Sequence, residues 1–182
     1  MDFEQVVSAR RSIRKFDENK KIDLATLEKI LTHGTLAPSS KNRQPWYFVI
    51  LQDDVLTKNK IADIMTTKLA TLSDIGPNSI ENTAKIIKNA PCCVAVFETF
   101  DIFPNSIKQS IGACIENICL SATNYGIGSL WICDMDICPD EIKAHLKVTE
   151  PYKLAALVAL GYALETPYAR PRKSLNEICK FK

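Results

Sequence analysis

The sequence predicts one domain of helices and strands, with a sheet buried between helical layers. Three observations carry this expectation. The chain has 182 residues, the size of a single domain spanning 1–182. Hydrophobic residues make up 46%, enough for a sizeable core. Short apolar runs bounded by turn residues alternate with stretches of helical spacing, as a sheet covered on both faces requires.

The elements follow in order. Phe3, Val6 and Val7 fall at helical spacing and lead into Arg10-Arg11-Ser12-Ile13-Arg14. Asp23 is placed to cap a second helix with the apolar stripe Leu24, Leu27, Ile30 and Leu31. Gly34 is expected to end that helix, and 37–42 reads as a polar loop. Residues 46–51 form a short apolar run between Pro45 and Asp53, a buried strand. The stretch 55–90 is mostly helical, with a break near Gly76-Pro77, and 92–97 is a second buried strand. Ile111, Ile115, Ile118 and Ala122 mark a long helix ending around Tyr125-Gly126. Residues 128–133 give a third strand, Pro139-Asp140-Glu141 a helix start, and 154–160 a fourth strand. The tail from Tyr168 carries Arg170, Arg172 and Lys173.

Composition excludes several function classes. The formal net charge is +2, so no chain-wide basic field recruits nucleic acid or anionic lipid. The most apolar long stretch, 113–133, is interrupted by Glu116, Asn117 and Asn124, against a membrane span. The start Met1-Asp2-Phe3-Glu4 is acidic where a signal peptide is basic, which points to a cytoplasmic protein. Seven cysteines occur without any C-x-x-C, and Cys92 and Cys93 lie in an apolar run. They read as reduced, buried thiols rather than as a metal site. His33 and His145 have no partner at metal-ligand spacing, so no metal is expected.

Three constellations carry chemistry. Arg10, Arg11, Ser12 and Arg14 offer guanidinium forks and a hydroxyl that match phosphate oxygens, although a solvated basic turn has the same composition. Pro38-Ser39-Ser40-Lys41-Asn42-Arg43-Gln44-Pro45-Trp46 is a rigid polar ledge or an ordinary loop. Arg170-Pro171-Arg172-Lys173 is a second phosphate clamp or a solubilising tail. Gly126-Ile127-Gly128 lacks a third glycine and follows a helix rather than a strand, so the dinucleotide fingerprint fails.

Taken together, these pieces resemble the nitroreductase-like FMN oxidoreductases along nearly the whole chain. The resemblance runs from Ser8-Ala9-Arg10-Arg11-Ser12-Ile13-Arg14-Lys15-Phe16 through Ala37-Pro38-Ser39-Ser40 and Gln44-Pro45-Trp46. It continues through Gly112-Ala113, Glu116-Asn117 and Gly126-Ile127-Gly128-Ser129, and closes at Gly161-Tyr162 and Arg170-Pro171-Arg172-Lys173. It implies an α+β fold, a central mixed β-sheet covered by helices on both faces, in an intertwined homodimer with sites at the interface. It implies FMN as a non-covalent cofactor, with NAD(P)H and a small organic acceptor such as a nitroaromatic or quinone as partners, in ping-pong order.

The roles it implies transfer by position. Arg10 and Ser12, beside Arg11, hold the FMN phosphate with Arg170, Arg172 or Lys173. Arg14 faces the flavin N1 and C2 carbonyl, where a cation stabilises the charge of the reduced ring. Pro38, Ser39, Ser40 and Asn42 come from the other subunit, and backbone groups around Ile132 and Cys133 lie near the ring. Asn82 and Lys85 are candidates for further ring contacts. Cys133 stands where many relatives have glycine, and reads as packing rather than as a reactive thiol. The flavin carries the chemistry, so no catalytic side chain is expected. Two alternatives remain open: specialised flavin chemistry on one metabolite, by reductive dehalogenation or dehydrogenation, and a flavin-binding protein without useful turnover.

Overall fold

The computed structural model describes residues 1–72, 77–99 and 104–182. Its elements are α1 (Phe3–Ala9), α2 (Leu24–Thr35), β1 (Trp46–Gln52), α3 (Val55–Leu69), α4 (Pro77–Asn89) and β2 (Cys92–Thr99). They continue with α5 (Pro104–Asn124), β3 (Gly128–Ile132), α6 (Pro139–His145), β4 (Tyr152–Gly161) and α7 (Leu175–Ile178). The four strands lie within two residues of their expected bounds. Asp23 caps α2 as expected, accepting from the Thr26 amide at 2.9 Å. Of the expected break in the helical stretch, Gly76 lies outside the described residues, and α4 starts at Pro77.

The sheet order is β1-β2-β4-β3. Helix α5 carries the chain from β2 across one strand position to β3, and β4 returns through the gap. Every neighbouring pair of described strands is therefore antiparallel. The expected mixed character comes down to an isolated parallel bridge, Ser12 to Ser129, among the described residues. Strand–helix alternation alone does not reveal that a later strand fills the gap between two parallel-running ones.

The strands alternate their side chains between two cores. Cys93, Ala95 and Phe97 of β2 join Leu157 and Ala159 of β4 against Ile61, Met65 and Ile87 of α3 and α4, and Ile142 of α6. Cys92, Val94 and Val96 join Ala156, Val158 and Leu160 against Leu27 and Ile30 of α2 and Ile111, Ile115 and Ile118 of α5. A register shift at Val96/Phe97 puts Leu154 on the same face as Leu157, three residues away. Both faces are covered, so the central strands read as unbroken apolar runs.

Gly34 departs from its expected role. It lies inside α2, which continues to Thr35, and a Cβ there would come within 2.6 Å of Ile118 Cγ1. The glycine permits a close approach of α2 to α5 instead of stopping the helix.

Candidate functional site

The basic N-terminal cluster is held by alternate burial. Ile13 and Phe16 are 7% and 4% exposed, and they anchor a strand-like stretch in which Ser12 and Arg14 face outward. The Ile13 amide donates to Ser129 O at 3.0 Å, at the edge of β3. A Cβ on Gly128 would meet Ile13 Cγ1 at 2.9 Å, so this close crossing needs the glycine. Two residues on, the stretch pairs with the chain leaving β4. Leu164 N donates to Lys15 O at 3.0 Å, and Asp17 N to Tyr162 O at 2.9 Å.

These crossings bring two distant basic segments together. A cavity of about 410 Å³ is lined by Arg10, Arg11, Ser12 and Arg14 on one side, and by Tyr168, Arg170 and Arg172 on the other. Lys173 does not line it. Arg10 Nε lies 3.5 Å from Glu116 Oε1 of α5, and with only 24% of the Arg10 side chain exposed the pair is partly shielded. Arg11 Nη1 donates to the carbonyls of Ser8 and Arg10 at 2.6 and 2.8 Å. Arg14 Nη1 donates to Ser12 O at 3.1 Å. A set of guanidinium donors with one hydroxyl fits a phosphate monoester.

A second cavity, of about 580 Å³, shares Arg14 with the first. Its walls include Asn82 and Lys85 of α4, and Trp131, Ile132 and Cys133 at the end of β3. Thr83 Oγ1 donates to the Asp134 carboxylate in a short bond that ties α4 to the turn after β3. Lys15 also lines this cavity. Arg14 therefore stands at the junction of the two cavities.

A third cavity, of about 430 Å³, lies past Trp131 and Cys133 and includes Glu98 and Asp136. Burial pushes the Glu98 carboxyl above its ordinary range, opposed by Lys108 and Lys153. Cys133 is exposed, but partial burial and the charges of Asp136 and Asp134 raise its thiol pKa. Cys92 and Cys93 are buried deep in the sheet, and desolvation holds the Cys93 thiol at about 12. Such thiols stay protonated and inert.

The 38–42 loop stands apart. None of Pro38, Ser39, Ser40 and Asn42 lines the first two cavities of a single chain. The loop is nonetheless sharply built. Lys41, Asn42 and Gln44 adopt φ of 54°, 54° and 48°, and Ser39 Oγ accepts from the Gln44 amide at 3.0 Å. Three non-glycine residues in the left-handed region within four positions represent stored backbone strain.

Sequence reasoning missed Lys15, Thr83, Asp134 and Tyr168, which line these cavities, and Glu165, whose carboxylate accepts from the Arg14 amide at 2.7 Å. Tyr168 and Lys15 flank recognised basic clusters, and proximity alone could have flagged them. Thr83 and Asp134 meet across 51 residues, and nothing local announces that pairing.

Comparison with known proteins comes down on one side. The family model described as the nitroreductase family matches residues 7–162. A 5,6-dimethylbenzimidazole synthase from Rhodospirillum rubrum is 29% identical over 171 residues, covering 86% of this chain and 79% of the relative. An oxygen-insensitive NADPH nitroreductase from Helicobacter acinonychis is 24% identical over 196 residues, covering 94% and 92%. Among solved structures, a BluB-like flavoprotein from Clostridium difficile 630 superposes with a TM-score of 0.83 at 29% identity, covering 100% of this chain and 99% of that one.

Proposed function

The chain belongs to the nitroreductase family, and on that premise we propose that it is an FMN-dependent oxidoreductase moving hydride from NAD(P)H to a small organic acceptor. The observation that carries this reading is the convergence of Arg10, Ser12, Arg170 and Arg172 on one cavity, joined through Arg14 to a second at the end of β3. The first is the seat of the FMN phosphate and the second of the ring system. FMN held there would supply the redox chemistry, hydride transfer between nicotinamide and acceptor, while the chain supplies binding and charge.

The residues of the chain bind and tune. Arg10, Ser12, Arg170 and Arg172 hold the phosphate by charge-assisted bonds. Arg14 places a fixed cation at the edge of the ring where reduction adds negative charge. Asn82 and Lys85 border the ring space, with Ile132 and Cys133 at its strand wall. Pro38, Ser39, Ser40 and Asn42 are supplied by a second copy of the chain, a reading supported by their absence from the walls of both cavities in one chain. Lys173 reaches the phosphate at most from outside the cavity wall.

The deciding experiment is anaerobic. FMN-loaded protein is mixed with NADH or NADPH, then with nitroaromatics and quinones. The reading expects the flavin absorbance to bleach and then return with stoichiometric acceptor. Protein that stays yellow under both nicotinamides is a flavin binder, and the proposal is lost. A second reading, specialised flavin chemistry on one metabolite, draws on the 29% identity to a protein named as a synthase. It expects bleaching by nicotinamide with no return on adding the general acceptors.

A further inference from the structure

We propose that Glu165 is a positioning residue that holds Arg14 in place at the junction of the two cavities. This inference rests on reading those cavities as the phosphate and ring sites of FMN.

Residues 12–17 belong to no strand of the sheet. They are held at the N-terminal end by the Ser12–Ser129 bridge, with Ile13 N bonded to Ser129 O. At the other end Lys15 O accepts from Leu164 N, and Phe16 bridges Ala163. The Arg14 amide falls in the gap between these two attachments. It donates to Glu165 Oε1 at 2.7 Å, across 151 residues of sequence. The distance lies at the short end of the range for N–H···O bonds, so the contact is well formed.

The location gives the bond its consequence. Arg14 is exposed and borders both cavities, and its guanidinium is held locally by the Ser12 carbonyl at 3.1 Å, so the path of the 12–14 backbone sets where the cation lies. Glu165 accepts from the backbone of Arg14, which among the described residues borders both spaces. It also lies just before 167–172, which supply Arg170 and Arg172 to the phosphate cavity. One carboxylate thus joins the two halves of the site at their meeting point. Without it, the Arg14 amide loses its acceptor, and the 12–14 segment that carries the guanidinium is freer to shift. A counter-charge that must be ordered at the moment of reduction stabilises less than one already in place.

The opposite electrostatic expectation makes the idea testable. If Glu165 acted only as a negative charge near the ring, removing it would favour the reduced anion and raise the flavin potential. If it acts by holding Arg14, removing it lowers the potential, as Arg14→Gln does. The FMN-loaded protein is titrated to its midpoint potential as wild type, Glu165→Ala, Glu165→Gln, Arg14→Gln and the double variant Arg14→Gln with Glu165→Ala. Glu165→Ala should weaken the preference for reduced over oxidised flavin about tenfold, a fall of about 30 mV for a two-electron couple. Glu165→Gln, which still accepts from the amide, should recover most of that loss. In the Arg14→Gln background Glu165→Ala should add nothing, because the two act as a unit. Amide exchange at Arg14, measured without flavin, should quicken in Glu165→Ala and return with glutamine.

A potential that rises in both Glu165 variants overturns the proposal, as does a Glu165→Ala shift that persists without Arg14. If Glu165→Ala does not fold, Glu165→Gln alone decides: a potential near wild type supports the role and a rise overturns it. Failure of the underlying reading looks different. Wild-type protein would then hold riboflavin as tightly as FMN, a result that depends on no Glu165 variant.

Discussion

At the scale of single residues, the first cavity sets an unequal pair of tests. Each guanidinium–phosphate bond is worth about 1.5–3 kcal/mol. Replacing Arg10 or Arg172 with alanine should therefore weaken FMN binding about tenfold to a hundredfold, sparing riboflavin. Arg10→Ala should be the worse of the two, because Glu116, 3.5 Å from Arg10 Nε, is left as an uncompensated carboxylate beside the phosphate. Equilibrium titration with both flavins measures this, and equal losses for FMN and riboflavin would contradict it. Cys133 offers a pH test. Its thiol pKa is raised by burial, Asp136 and Asp134, so the thiolate forms only above the ordinary range. Iodoacetamide should label Cys133 slowly at pH 7 and quicken only above the range in which an ordinary cysteine ionises, whereas Cys133→Ala should keep most flavin reduction by nicotinamide. Rapid labelling at neutral pH with loss of activity would give the thiol a part in the mechanism.

At the scale of elements, α2 and α5 meet where Gly34 faces Ile118. Alanine at 34 gains about 1 kcal/mol of helix propensity, and its Cβ collides with a buried β-branched side chain that has little freedom to move. Overpacking of this kind costs about 1–3 kcal/mol, so after the propensity gain Gly34→Ala should be a net destabilisation of up to about 2 kcal/mol. Adding Ile118→Val leaves Cγ1 in place and should relieve little, whereas adding Ile118→Ala should remove the clash and leave only a cavity. Denaturant melts of the three variants test this. A more stable Gly34→Ala would mean that the helices separate freely. The Thr83–Asp134 bond, between α4 and the turn after β3, likewise acts between elements and borders the second cavity.

At the scale of the whole molecule, the 38–42 loop and the Arg10–Arg14 cluster do not share a cavity within one chain. In the proposed dimer they meet across the interface, and complementation tests that arrangement. Arg14→Ala removes the ring contact, and Ser40→Trp fills the space beside it, so each homodimer should be nearly inactive. In a hybrid of the two, one site collects both defects and the other receives intact Arg14 and intact Ser40. Co-expression with different tags should recover about half the wild-type activity, one good site of two. A hybrid at the mutant floor would place both residues in one chain's site.

Much of the fold was legible because its signals are local. The apolar run beginning at Cys92-Cys93, the periodic Ile111, Ile115 and Ile118, and the cap at Asp23 each act within one strand or a few turns. The basic clusters around Arg10 and Arg172 were legible as chemistry for the same reason, and their spacing pointed to the family. What the chain order could not express is which segments meet. Gly34 reads as a helix stop until Ile118 is seen against it, and strand–helix alternation conceals that β4 lies between β2 and β3. Propensity, capping and periodicity are set by neighbours in sequence, so the sequence by itself determined most of the elements, a sheet covered on both faces and the cationic residues, though not the short α7. Only the packing of α5 across the sheet and the return of β4 brought residue 165 to residue 14, because a contact across 151 residues comes from how the layers close and leaves no mark on either residue's neighbours.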